Sequence, residues 1–357
     1  MFSHPEFDGH ERVVYVNDAA SGLRAIVAIH STSLGPAFGG CRMWPYATDA
    51  EALTDALRLA KGMTYKAAIC DLPYGGGKSV ILADPKGGDP KRAKTLELLR
   101  AMGRAVESMG GRYIIADDVG TTLDDLAVMR AETRHTAAAT PSAKQPLPVT
   151  AWGVFNALSA GARHAFGRDG FKGLTVAVQG LGHVGYPLCR FLHDNGARLA
   201  VSDLDPQRVK QAQAEFAAAP AEPEAIYAAA ADIFSPCALG GVLNDATIPR
   251  LTAKLVCGGA NNQLAEARHG PALARRGVCY LPDYLANAGG VIDFHQESVD
   301  DSPDAVMRAV ERIGGIAAEV LDEAKRAGLA PLEAADAIVE RRLAVNTRRA
   351  RPRPAPP

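Results

Sequence analysis

Three places in the first third of this 357-residue chain carry side chains able to do chemistry. Lys66 falls on the same helical stripe as Leu59, Gly62 and Met63. That is an unusual place for an ammonium, although a lysine snorkelling at a helix edge leaves the same signature. Lys78 sits in GGGKS, Gly75 to Ser79. The run invites comparison with a P-loop, but that motif needs a glycine where this chain has Leu72, which argues against a nucleoside triphosphate site. A lysine held by a mobile glycine loop could instead be a desolvated amine whose pKa is lowered for acid–base work; a solvated turn lysine is the plain alternative. Asp117 and Asp118 follow a strand pattern ending at Ala116, and ligands of open α/β sheets gather beyond such strand ends. Asp117 reads equally well as a helix-start acid.

A fourth signal lies further along. Leu174 to Gln179, LTVAVQ, is an apolar strand running into GLGHVG, Gly180 to Gly185. A helical pattern follows to about Asn195, then a second strand, Arg198 to Ser202, ending at Asp203. Glycines between strand and helix, with an acid about 20 residues on, form a dinucleotide-binding fingerprint. Gly180 would allow the tight turn, Gly182 the approach of a pyrophosphate, and Gly185 close helix–strand packing, with the pyrophosphate at the helix N-terminus. Asp203 would accept from the adenosine ribose and repel a 2′-phosphate, favouring NAD over NADP, while nearby Arg208 weakens that preference. The alternative is a glycine turn plus an acid that caps the helix starting at Pro206.

Other elements must position these groups. Val13 to Val16 and Leu23 to Ile29 read as strands, and a helix should start at Thr48, with Thr48 and Glu51 as a capping box. Leu53, Ala56, Leu57, Ala60, Met63 and Ala67 keep helical spacing along it. A further helix is expected over about 90–109, a strand at Tyr113 to Ala116, and a helix capped by Thr122. Prolines mark a linker at Pro141 to Pro148, after which alternating strand and helix patterns imply a parallel sheet. The closing RRARPRPAPP reads as a frayed tail, with a nucleic-acid arm as the lesser alternative.

Composition bounds the function. With 47% hydrophobic and 22% charged residues and a net charge of −1, nothing global calls for nucleic acid or an anionic membrane. The start lacks a secretory pattern, and no apolar run reaches membrane-span length. Cysteines 41, 70, 189, 237, 257 and 279 include no CxxC pair and read as reduced thiols of a cytoplasmic protein, without a zinc site.

In collinear order the chain carries GPAFGGCRM (Gly35 to Met43), KGMTYKAA (Lys61 to Ala68), GGGKSVI (Gly75 to Ile81) and GRYIIADDVGTT (Gly111 to Thr122). There follow PVTAWGV (Pro148 to Val154), VQGLGHVG (Val178 to Gly185), SPCALGG (Ser235 to Gly241), GGANNQL (Gly258 to Leu264) and PDYLANAGGVI (Pro282 to Ile292). This set resembles the amino-acid dehydrogenases of the leucine, phenylalanine and valine group, relatives of glutamate dehydrogenase, from about Gly9 to Leu343. The resemblance implies an α/β fold of two domains separated by a cleft. A substrate-binding and oligomerisation domain would span 1–147 with a C-terminal return at about 325–345. A Rossmann-type NAD-binding domain would span 148–324, and 346–357 would be a disordered tail.

It also implies roles. Lys66, with backbone N–H groups near Gly39 and Gly40, would bind the substrate α-carboxylate. Lys78 would activate the attacking water and Asp118 would shuttle protons at the amino group. Met63, Ala116, Val291 and Phe294 would meet the substrate side chain. Thr150, His183, Val184, Cys237, Ala238, Ala260, Asn261 and Asn287 would join Gly180, Gly182, Gly185 and Asp203 around NAD, with loop capping as the alternative for both asparagines. No metal is called for, and a homo-oligomer without nucleic-acid or membrane partners is expected. Ala116 and Val291 resemble the branched-chain enzymes, so the expected reaction is reversible oxidative deamination of leucine, valine or isoleucine. The alternatives are an aromatic substrate such as phenylalanine, and, in another class, a non-catalytic NAD-binding regulator. Phe38 and Phe294 stand where the family commonly has smaller aliphatic residues, the segment Thr136 to Leu147 is short, and DFHQES after Ile292 departs from the usual wording.

Overall fold

The run GGGKS is not a loop but part of a central strand in a computed structural model of the chain. The structure describes residues 2–82, 94–137 and 147–350, with side chains through residue 345. Residues 138–146 of the expected linker and short segment, 90–93 of the expected second helix, and 351–357 of the tail lie outside the described residues. Contacts divide the chain into two units, Met1–Gln145 with Arg341–Pro357, and Pro146–Glu340. No helix among the described residues is long and apolar enough to cross a membrane.

The first unit contains β1 (Arg12–Asp18), β2 (Leu23–Ser31), β3 (Ala37–Trp44), α1 (Asp49–Ile69), β4 (Gly75–Leu82), α2 (Leu96–Glu107), β5 (Tyr113–Asp117) and α3 (Leu123–Arg130). They form a five-stranded sheet in the order β1-β2-β4-β3-β5. β1, β2 and β4 pair antiparallel, whereas β3 runs parallel to both β4 and β5. Both faces are covered: Val27 and Ile29 pack with the apolar residues of α2 and α3, and Ile26, Ala28 and Val80 pack with Leu53, Ala56 and Leu57 of α1. This explains the unbroken apolar run of β2, since a strand buried on both sides need not alternate.

Glycine accounts for the misread β4. A Cβ on Gly76 would lie 2.0 Å from the Thr64 backbone nitrogen, and one on Gly75 1.9 Å from the Ser31 carbonyl oxygen. Here glycines serve close packing of backbone on backbone rather than mobility. The expected capping box at Thr48 is also corrected. Thr48 Oγ1 accepts from the Glu51 backbone at 3.1 Å, but Glu51 Oε2 accepts from Ala47 N rather than from Thr48. The reciprocal box forms instead at Thr122 and Asp125, the start of α3.

The second unit contains α4 (Val149–Phe166), β6 (Thr175–Gln179), α5 (Gly185–Asp194), β7 (Arg198–Ser202), α6 (Pro206–Phe216), β8 (Ala219–Pro220), β9 (Ile233–Pro236), β10 (Leu255–Val256), α7 (His269–Arg275), β11 (Cys279–Tyr280), α8 (Asp283–Ala286), α9 (Gly289–Gln296), α10 (Pro303–Ala327) and α11 (Pro331–Ala350), whose end enters the first unit. Its sheet is wholly parallel, ordered β8-β7-β6-β9-β10-β11. In terms of its own strands this is 3-2-1-4-5-6, the order of dinucleotide-binding folds. Residues 325–340, expected with the first domain, belong to this unit: the Tyr284 hydroxyl donates to Asp336 Oδ1 at 2.5 Å, and Leu332 covers Gly270. The chain returns to the first unit at Arg341, and within that unit Arg342 Nη1 donates to the carbonyls of Ala68 and Ile69 at 2.8 and 2.6 Å, capping the end of α1. Helix also replaces tail over 346–350.

His10 and His30 lie edge to face with ring centres 4.8 Å apart under the first sheet, each less than a tenth exposed. His10 Nε2 is 3.0 Å from the Leu57 carbonyl, and His30 Nδ1 is 2.8 Å from Thr64 Oγ1. Burial, then the neighbouring His10, pushes His30 down to about 4. A histidine whose folded pKa is depressed favours the fold fully above its unfolded value and loses that contribution as pH falls toward the folded one. The protein should therefore lose up to about 3 kcal/mol between roughly pH 6.5 and pH 4 from this residue. Melting curves across that range should show the loss, and His30→Asn should flatten it; an equally steep fall in the variant would place its origin elsewhere.

Candidate active site and dinucleotide site

In the first unit β3 runs parallel to β4 and β5, and β5 stops at Asp117, opposite Cys41. Register pairs Gly40 with Ala116 and Cys41 with Asp117, so the turn after β5 folds over the end of β3. Thr121 holds that turn: its Oγ1 accepts from Asp118 N at 3.0 Å and donates to the Cys41 carbonyl at 2.7 Å. Gly120, at φ +83°, is needed there because a Cβ would fall 2.0 Å from the Met43 carbonyl oxygen.

The outcome is a buried ion pair. Lys78 Nζ lies 2.6 Å from Asp118 Oδ2, with the two side chains 5% and 16% exposed. The same carboxylate oxygen accepts from Arg42 Nε at 3.1 Å. Burial alone would raise the Asp118 carboxyl, but the Lys78 ammonium and the Arg42 guanidinium outweigh it and hold the group at about 2. Asp117 is shifted the opposite way, upward, by burial and by the Asp118 carboxylate, which together outweigh the pull of Lys78. Of the two acids, Asp118 is the one built to be an anion. Gly40 fits into the pair's flank, where a Cβ would be 2.8 Å from Asp118 Cβ and 3.1 Å from Lys78 Nζ.

Lys66 is buried near the end of α1, which packs on β4, and Met63 is half-buried one turn earlier. Ala116 is half-buried at the end of β5. Phe38 is 5% exposed on β3, its ring 5.8 Å from that of Tyr74. Two supports went unread in the sequence. The Tyr113 hydroxyl donates to the Gly39 carbonyl at 2.8 Å and its ring fills the space beside Gly77, while Arg42 joins Asp118 to Asp55. Arg42 lies two residues beyond Gly40 on one strand and so on one face, the signal that could have singled it out.

In the second unit the glycine loop leaves β6 and enters α5. Gly180 has φ +92°, and a Cβ on it would meet Ala238 at 2.8 Å; one on Gly185 would sit 1.8 Å from the Gly180 carbonyl oxygen. A Cβ on Gly182 meets nothing closer than Arg208 Nη1 at 3.8 Å, so this glycine is bare toward its surroundings. Cys237, whose N–H donates to Gln179 O at 2.7 Å, Ala260, whose N–H donates to Pro236 O at 3.0 Å, and Val184, against Gly259, gather around the same loop; His183 is exposed on it. Asp203 Oδ2 accepts from Leu181 N at 2.6 Å, tying the acid to the loop. The cap of α6 is Asp205, not Asp203, which removes the alternative reading of the acid.

A nicotinamide dinucleotide fits this donor set. No side chain caps α5, leaving its N-terminal amides for a pyrophosphate. Asn287 is 4% exposed; its Nδ2 donates to Asn261 Oδ1 at 2.8 Å and to Gly259 O at 3.2 Å, while its Oδ1 has no partner among the described residues. Such a buried acceptor suits an amide donor like the nicotinamide carboxamide. Thr150 is half-buried at the start of α4, next to Gly290; Val291 is buried and Phe294 half-buried on α9.

Comparison with known proteins agrees with this geometry. Residues 10–135 match the model of the Glu/Leu/Phe/Val dehydrogenase dimerisation domain, and 205–348 match that of the glutamate/leucine/phenylalanine/valine dehydrogenases. The leucine dehydrogenase of Bacillus cereus is 46% identical over 347 residues, covering 96% of this chain and 93% of the relative. The valine dehydrogenase of Streptomyces coelicolor is 44% identical, covering 98% and 96%. A crystal structure of L-tryptophan dehydrogenase from Nostoc punctiforme superposes with a TM-score of 0.79 at 41% identity, covering 95% of this chain and 97% of that one.

Gly40→Ala should drive a methyl group into the Lys78–Asp118 pair. Turnover should fall about a hundredfold, as expected for displacing a reacting group by an ångström, and stability by about 1–3 kcal/mol, as for overpacking. Steady-state rates beside melting temperatures read both, and near-normal turnover would show that the pair does not matter to the reaction.

Proposed function

The chain belongs to the glutamate/leucine/phenylalanine/valine dehydrogenase family, and from that premise we propose that it catalyses reversible, NAD-dependent oxidative deamination of a branched-chain L-amino acid. Leucine is the preferred candidate, with valine and isoleucine as close substrates. The observation that carries the reading is the buried Lys78–Asp118 pair, 2.6 Å from ion to ion and flanked by Gly40. In this scheme Lys66 and the backbone near Gly39 and Gly40 bind the α-carboxylate. Asp118 exchanges protons with the amino group. Lys78 directs the water that adds to the imino carbon, after which ammonia leaves and the 2-oxo acid remains. A bound nicotinamide would supply the acceptor for the hydride that leaves the α-carbon. In the second unit the α5 N-terminus and glycine loop would take the pyrophosphate, Asp203 the adenosine ribose, and Asn287 with Asn261 the carboxamide end. Met63 and Ala116 are proposed to meet the substrate side chain. The match to the dimerisation-domain model supports a homo-oligomer.

An aromatic substrate is the second reading, favoured by the similarity to the L-tryptophan dehydrogenase. Preference among apolar side chains rests on small differences, about 1–3 kcal/mol per methylene, so several substrates should turn over. NADH formation with leucine, valine, isoleucine, phenylalanine and tryptophan, each with NAD and NADP, separates the two readings. Fast NAD reduction with leucine, lost in Lys78→Ala, is expected. Preference for tryptophan or phenylalanine would establish the second reading, and NAD binding without turnover of any amino acid would overturn both.

A further inference from the structure

Arg42 takes no part in the reaction scheme proposed above, yet it is the hub of a chain of charges. Its Nε donates to Asp118 Oδ2 at 3.1 Å and its Nη1 to Asp55 Oδ2 at 2.8 Å, while the Tyr46 hydroxyl donates to that same Asp55 oxygen at 2.6 Å. The guanidinium is 18% exposed, Asp118 16% and Asp55 23%, so water screens these contacts poorly. The fork spans β3, α1 and the turn after β5, the three pieces that meet around the ion pair. A planar fork with fixed donors suits this job, because it dictates the direction of both carboxylates at once.

We propose that Arg42 is a positioning residue for the deamination, holding Asp118 as an oriented anion against Lys78, with Asp55 and Tyr46 fixing the guanidinium from behind. The inference rests on the reading of Asp118 as the group that exchanges protons with the substrate. Asp118 is faced by Lys78 from β4, by Arg42 and the thiol of Cys41 from β3, and by Asp117 and Tyr113 from β5; Asp55 and Tyr46 lie beyond Arg42. Burial raises the thiol of Cys41 to about 12 and the Tyr113 hydroxyl well above its ordinary value, leaving both neutral. The two cations are the main offset to the burial that would raise Asp118, and Lys78 cannot also fix its direction once it is engaged in chemistry.

The test compares Arg42→Met, which keeps length and loses charge, with Arg42→Lys, which keeps charge and loses the fork, and with Tyr46→Phe, which loosens Asp55 alone. Turnover should fall about a hundredfold in Arg42→Met and about tenfold in Arg42→Lys, with KM for the amino acid and NADH affinity changed less than threefold. The loss in Arg42→Met should deepen toward acid, because without the guanidinium burial pushes the Asp118 carboxyl upward and it takes up protons sooner on acidification. Arg42→Lys should abolish that extra acid sensitivity. Tyr46→Phe should give a milder fall in turnover, and it decides the matter with Arg42→Lys if Arg42→Met does not fold. Losses that are equal at every pH and track melting temperature would make Arg42 a structural residue only, as would unchanged turnover in Arg42→Lys and Tyr46→Phe. Asp118→Asn is assayed alongside: if it stays fully active, the reading of Asp118 and this inference fall together. If it is inactive while the Arg42 variants keep the pH profile of the parent, only the inference fails.

Discussion

An ammonium taken out of water needs an anion beside it, and that anion must itself be held. Much of the first unit answers this requirement for Lys78. Removing one member of a buried pair leaves the other uncompensated, at a cost of about 3–5 kcal/mol, so the sheet must deliver Asp118 to within hydrogen-bond distance of Lys78. It does so through close approaches that only glycine allows. Gly40 leaves room for the pair, Gly76 lets α1 lie on β4, and Gly120 lets the turn after β5 fold onto β3. Tyr113 and Thr121 then satisfy the carbonyls of Gly39 and Cys41 that this crowding would otherwise strand. Close packing of this kind leaves reacting groups little room to reorient, which is what their alignment requires.

The second unit follows a different logic. Its loop is shaped by absence: bare backbone at Gly182, an uncapped helix end, and a buried carbonyl oxygen on Asn287 without a partner among the described residues. Native structures tolerate few such features, and here they collect where a dinucleotide would supply the missing contacts. Asp203 gives the loop its shape by accepting from Leu181 N, and it keeps lone pairs for a sugar hydroxyl. Arg208 sits 4.0 Å from it and is half exposed.

Sequence reading did best where local rules and tertiary demands coincide. The strand–glycine–helix unit at 174–195 is legible because each glycine answers a short-range need, and the expected strand at Arg198–Ser202 coincides with β7. It did worst at GGGKS. Glycines ordinarily mark turns, and nothing local tells a turn from a strand pressed by a helix, because the pressure comes from Thr64 and Ser31. The capping box failed at Thr48 for a smaller reason of the same kind: Glu51 accepts from Ala47 N instead.

The sequence alone determined the family, the two kinds of chemistry, and the residues Lys66, Lys78, Asp118 and Asp203 as their candidates, because residue type and order survive without coordinates. Only the tertiary structure decided that Asp118 rather than Asp117 faces the ammonium, that Arg42 stands behind it, and that residues 325–340 pack with the second unit. These depend on which strand ends meet. Alignment of β3, β4 and β5 is a matter of register between segments some 40 to 80 residues apart, and no local pattern encodes it.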